Sequence, residues 1–458
     1  MTLGATQKLA RYAVKLRYGE IPSEVISRAK ACFLDTIAVT LYGSTKPWSR
    51  SVIDFVKSLR ANGASTVFAQ NWKTAAPQAA LANGAMAHAF ELDNVRQPGG
   101  GVHPGATAFL PALAAAEERK VSGQALLVAF VAGCEVMSRI GVAAGSSLEK
   151  RGFHAPALTG TFGAAVAAGR LLRLDERKMV HALGIAGSYS GGLLEFSRCR
   201  EGAMIKRLHL GKAAEGGVNA ALLAERGFAG PESVLEGEFG FCRVFSTDPD
   251  LAYLTHRLGQ DYETLNLCIK RYACHINAHA PIEALQRLLE QNRFSAADVK
   301  KIVVAGMERL ISHHAIYEPA DLMAAQYSVP FCLALSLYHD PRDPGSFNDR
   351  RVRDKKILDL ARRIELREDS EIVEKHWDRA ARVSVELRDG RTASVLVVHF
   401  RGTPQNFLSA EEIADKARRL TASVGKEKTL ERLIETVDRL EKVKDVSVLS
   451  SLLKKRTR

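Results

Sequence analysis

Residues 83–111, NGAMAHAFELDNVRQPGGGVHPGATAFLP, carry the densest set of side chains able to move protons. His88, Glu91, Asp93, Asn94, Arg96 and Gln97 lie within or just after a small-residue stretch (Ala85, Ala87, Ala89) that reads as a helix. His103 comes just after the glycines Gly99, Gly100 and Gly101. A helix end bearing carboxylates, followed by a loop flexible enough to deliver a histidine, can form an acid/base wall of a pocket. Such residues more often make an ordinary solvated turn, since glycine after a polar helix end is a common way to stop a helix.

Four further clusters join it. His154, in RGFHAPALTGTFGAA, precedes a Gly/Ala-rich helical pattern, so it stands near a helix amino terminus, where free amides and the dipole favour an anion. Lys206 and His209, three apart in MIKRLHLGK, share a helical face. Such a pair can bind a carboxylate and lower the pKa of the histidine, or simply face solvent. KRYACHINAHAPIE, residues 270–283, gathers Tyr272, Cys274, His275 and His279, and AAQYSVPF, residues 324–331, adds Gln326 and Tyr327. His275 and His279 have the i, i+4 spacing of a zinc pair, but no H-E-x-x-H pattern accompanies them and Pro281 lies close by, so no metal is expected. Cys274 beside a histidine has no evident oxyanion hole, which disfavours a nucleophilic pair.

Composition narrows the classes. The net charge of +13, from 64 Lys and Arg against 51 Asp and Glu, suggests an anionic partner. The basic residues sit in mixed-sign clusters, as in residues 350–369, and aromatic residues make up only 7%, which argues against nucleic acid. Seven scattered cysteines without a C-x-x-C pair fit a reducing cytoplasm. The apolar run near residues 125–134 is too short to span a bilayer, so no membrane partner is expected.

The elements that must hold these residues are mostly helical. From residue 77 to 227 Ala, Leu and Gly recur at helical spacing, and small residues let helices approach closely. After about residue 265 strands enter: KIVVA at 301–305, and a hairpin over 382–398 turning at Asp389-Gly390. Helices return at Ser409, where Ser409 and Glu412 form a capping-box pattern. The expectation is a mainly α chain with an α+β insertion: a helical domain over residues 1–264, an α+β lid domain over 265–402, and helices over 403–458 returning to the first domain.

Taken together, NGAMAHAFELDN with GGVHPG, RGFHAPALTGTFGAA, GAMIKRLHLGKAAEGG, KRYACHINAHAPIEA and AAQYSVPF resemble the MmgE/PrpD family over essentially the whole chain. The resemblance implies a helical domain formed by both chain ends, a smaller lid domain, a homodimer, and lyase chemistry on small di- and tricarboxylates without metal or organic cofactor. It implies a catalytic set of Asp93, His103, His154, Lys206 and His279, with Arg96, His209, Gln326 and Tyr327 as substrate-binding candidates. Dehydration of a 2-methylcitrate-like hydroxy acid is the first expectation; cis-aconitate-type decarboxylation, iminodisuccinate-type epimerisation and non-catalytic carboxylate binding are the alternatives. One departure matters: the family's acid-rich Asp-x-Asp-Asp-Thr run reads Glu91-Leu92-Asp93-Asn94-Val95 here, and Arg96 then brings an extra cation towards the expected pocket.

Overall fold

A computed structural model describes residues 3–197, 204–422, 424–425 and 427–454, so Cys199, Glu201 and the basic pair Lys455-Arg456 lie outside the described residues. The chain divides into two compact units. One comprises Met1–Ala89, Asp93–Cys268 and Ser409–Arg458; the other comprises Phe90–Leu92 and Ile269–Leu408. Both chain ends therefore build the first unit.

The first unit is helical. Its principal helices are α1 (Ser23–Gly43), α2 (Ala76–Ala87), α3 (Gly123–Ala144), α4 (Ala155–Leu171), α5 (Ile205–Glu225) and α6 (Ala410–Ala422). Helix α4 packs against α3 and α5, and α5 packs against α2. Glycine sets how closely α2 and α5 approach: a Cβ on Gly211 would stand 2.4 Å from the Leu81 carbonyl, and one on Gly84 would stand 2.9 Å from Gly211 Cα. The run of small residues thus lets the helix bearing Lys206 and His209 lie directly on the helix that ends at His88.

Helix α3 is longer than its apolar run suggested. It spans 22 residues, and its most apolar 18-residue stretch has a mean hydropathy of 1.8, long and apolar enough to cross a membrane, yet 89% of that stretch is buried inside the protein. Its two charged side chains explain the placement. Glu135 accepts the backbone N–H groups of Glu263 and Thr264 at 2.8 and 2.9 Å, and the fully buried Arg139 donates to the carbonyls of His256 and Asp261. Together they pin the segment that carries Glu263.

The second unit holds a four-stranded sheet of β1 (Val299–Gly306), β2 (Ile364–Glu368), β3 (Ala381–Leu387) and β4 (Thr392–Val397), in the order β2-β1-β3-β4. The β3–β4 hairpin turns where Asp389-Gly390 predicts, with Gly390 at φ +91°. Strand β2, parallel to β1, falls inside the stretch read from sequence only as mixed charge; Ile364 and Leu366 point inward while Glu365 and Arg367 point out. At the return to the first unit, the Ser409 N–H donates to Glu412 and the Glu412 N–H donates to Ser409 Oγ, which completes the capping box.

Candidate active site

The site is assembled at three helix ends of the first unit and the loop between them. Helix α2 stops at His88, which takes its C-cap position. After Asp93 the loop pairs Arg96 with Leu267 and turns back through Gly99, Gly100 and Gly101, all at positive φ. Gly101 lies against the start of α4: a Cβ there would stand 2.2 Å from that of Ala155, and Thr159 Oγ1 donates to the Gly101 carbonyl. This close approach needs glycine, and it brings His103 to the same end of α4 as His154, the N-cap residue of that helix.

Asp93 is the hub. Its Oδ2 accepts from His103 Nδ1 at 2.7 Å and from His88 Nδ1 at 2.9 Å, and all three side chains are buried. Burial opposes the charge on Asp93, but two facing imidazoles outweigh it and hold the carboxyl well below its usual range. An ionised Asp93 accepting twice requires an N–H on Nδ1 of both histidines, which leaves each Nε2 to carry the chemistry. His88 Nε2 and Asp93 Oδ1 are buried with no hydrogen-bond partner among the described residues.

Beyond this trio the imidazoles continue through successive neighbours. Ring centroids are 5.1 Å apart for His103 and His88, 6.2 Å for His88 and His154, and 5.1 Å for His154 and His209. His154 Nδ1 and His209 Nδ1 stand 2.9 Å apart, so one donates and the other accepts. Burial pushes His88 down to about 3, with Lys206 adding to the effect against the pull of Asp93. Burial and the neighbouring His88 hold His154 well below its ordinary value, and His209 falls to about 4 through burial, His88 and Lys206. Lys206 itself is buried at the start of α5. A buried lysine beside neutral imidazoles is a combination suited to holding carboxylates.

His88, Asp93 and His103 offer three ligand-type atoms within 4.8 Å of one another, the one such group among the described residues. At 2.7 and 2.9 Å their contacts have hydrogen-bond spacing, and a metal ion would have to displace both shared protons to use the same lone pairs.

The other sequence candidates sit differently. Arg96, expected to bring a cation to the pocket, is buried with its Nε 2.7 Å from Glu263, and its guanidinium also donates to the Pro98 carbonyl. Glu263 is held in turn by the Tyr253 hydroxyl and the Asn266 amide, so the Arg96 charge is matched inside the protein. In the second unit, His279 is fully buried between the rings of Tyr272 and Phe400, whereas His275 packs on His314 and Tyr327. The two histidines thus have separate surroundings despite their i, i+4 spacing. Gln326 donates to the carbonyls of Phe90 and Ala273 and keeps a buried Oε1 without a partner among the described residues. His88, noticed in the opening stretch but absent from the candidate set, proves to be a direct partner of Asp93. The signal was available: a helix-terminal histidine five residues before an acid can turn back upon it.

The MmgE/PrpD N-terminal domain model matches residues 7–254 and the C-terminal domain model matches residues 272–442. The chain is 30% identical over 475 residues to the cis-aconitate decarboxylase of Aspergillus terreus, covering 98% of this chain and 96% of the relative. It is 28% identical to the human cis-aconitate decarboxylase, with 99% and 95% covered, and 27% identical to that of Mus musculus, with 99% and 94% covered. With both domain models matched in order along nearly its whole length, the chain belongs to the MmgE/PrpD family.

Proposed function

We propose that this enzyme decarboxylates a cis-aconitate-like unsaturated tricarboxylate. The observation that carries the reading is the His88–Asp93–His103 hub beside the buried Lys206, in a chain whose named relatives are cis-aconitate decarboxylases. Those relatives support decarboxylation over the 2-methylcitrate dehydration that the sequence placed first.

The chemistry asks for two things. In cis-aconitate the departing carboxylate sits on a CH2 next to the double bond. As its C–C bond breaks, the electron pair forms a new CH2=C bond and the old double bond moves onto the carbon beside a second carboxylate. A proton delivered to that carbon completes a methylene-succinate, and carbon dioxide leaves. Lys206 stabilises the charge that develops on the retained carboxylate. His103, with its Nδ1–H held by Asp93, delivers the proton from Nε2 in its imidazolium form and is left as the Nδ1–H neutral ring. His154 and His209, mostly neutral, accept or share a proton with the substrate.

The test is proton NMR of the chelator-treated protein in heavy water with cis-aconitate, citrate, 2-methylcitrate and iminodisuccinate. The expected outcome is consumption of cis-aconitate alone, with one deuteron in the methylene-succinate formed. Conversion of 2-methylcitrate with cis-aconitate untouched would replace decarboxylation by dehydration.

A further inference from the structure

Asn94, the residue that departs from the family's acid-rich run, occupies a built environment. It is fully buried. Its side-chain nitrogen donates to Asp35 Oδ2 and to Thr36 Oγ1, both at 2.9 Å, and its Oδ1 accepts the Gly105 N–H at 3.0 Å. On its other oxygen, the buried Asp35 accepts from Lys416 Nζ of α6 at 2.5 Å. Gly105 fits only without a side chain, since a Cβ would lie 2.1 Å from Thr36 Oγ1 and 2.8 Å from both terminal atoms of Asn94. One amide thus joins the residue after Asp93, the second residue after His103, and an ion pair made by α1 and the returning carboxy-terminal helix.

We infer that Asn94 is a positioning residue, which holds Asp93 and His103 in register through the Asp35–Lys416 pair and which has to be an amide to do so. The inference rests on the site reading above. The reason is charge balance. The titratable groups around position 94 are Asp35 and Cys32 on α1, Lys416 on α6, and Asp93 and His103 on its own loop. Lys416 already answers Asp35. An ionised aspartate at 94 would set a second carboxylate against Asp35 and would have no hydrogen to donate to it. Once protonated, the same aspartate would restore the donor to Asp35 and the acceptor for Gly105. The amide holds both roles at every pH, so Asn94 is a structural complement to Asp35 and not a mark of lost catalysis.

The experiment compares the full chain with Asn94→Asp, Asn94→Ser and the exchange variant Asn94→Asp/Asp35→Asn. Turnover of cis-aconitate is measured from pH 5.5 to 8.5, alongside hydrogen–deuterium exchange of the peptide spanning residues 94–109. Relative to wild type at each pH, Asn94→Asp is expected to lose kcat about 10- to 100-fold at pH 8 with KM changed less than about threefold, and to recover towards pH 5.5 as the added carboxyl takes a proton. The exchange variant is expected to return to within about fivefold of wild type, because it restores one acid, one amide and one lysine. The 94–109 peptide should exchange faster in Asn94→Asp and Asn94→Ser and regain protection in the exchange variant. Wild-type kcat in folded Asn94→Asp at all pH values overturns the inference, as does a loss that neither acid nor the exchange variant reverses. If Asn94→Asp does not fold, wild-type kcat and protection in Asn94→Ser overturn it. If the wild-type chain turns over none of the acids, the proposed reaction fails, and the exchange protection, which needs no substrate, decides the positioning role by itself.

Discussion

Replacing Asp93 by asparagine tests the hub with the least change of shape. The carboxylate holds two hydrogen bonds at 2.7 and 2.9 Å in a fully buried setting. Bonds to a charged acceptor contribute about 1.5–3 kcal/mol each against about 0.5–1.5 for neutral ones, so exchanging both removes roughly 2–3 kcal/mol of support for a protonated imidazole. If that support is felt in the transition state, kcat falls roughly 30- to 150-fold. KM should move less than about threefold, because in the proposed mechanism the carboxylate holds the histidines while Lys206 and the outer imidazoles bind substrate. The fold should survive, since a neutral amide in a dry site avoids the desolvation cost of the charge. The assay is initial-rate decarboxylation of cis-aconitate with the thermal unfolding midpoint recorded in parallel. A folded variant with wild-type kcat would remove Asp93 and the two histidines from the chemistry; a KM effect with kcat unchanged would make Asp93 a binding residue.

Stability should fall as pH drops. His88 at about 3 and His209 at about 4 lie below their value near 6.5 in an unfolded chain, so between those limits the unfolded state binds more protons and gains on the folded one. The urea midpoint is therefore expected to decline steadily from pH 6.5 to 4.5, with a shallower decline in His88→Asn; a flat profile contradicts the neutral-imidazole reading. Arg96→Met leaves Glu263 buried without its cation and should destabilise the fold by about 3–5 kcal/mol in urea titration, while Arg96→Met/Glu263→Gln recovers most of it. Full stability in Arg96→Met would show that the pair is not structural. Gly211→Ala forces a methyl group to 2.4 Å from the Leu81 carbonyl and should cost about 1–3 kcal/mol, read from the same titration, because α2 and α5 must part.

What could be read directly from the chain was local. Helical spacing announces the small-residue helices, Asp389-Gly390 announces its hairpin, and Ser409 with Glu412 announces the start of α6, because each is encoded within a few residues. Asp93 and His103 are ten residues apart on one loop, so their partnership was also within reach. Strand β2 was hidden, since two inward positions in a charged stretch give too short an alternation to stand out.

The tertiary structure alone decided how charge is distributed. Arg96 looks like a substrate cation until Glu263, 167 residues further on, meets it, and Asn94 looks like a missing acid until Asp35 and the distant Lys416 surround it. The physical reason is that periodicity and capping act between neighbours along the chain. A buried charge, in contrast, must be balanced by whatever the fold brings within about 4 Å of it, and that partner can come from any segment.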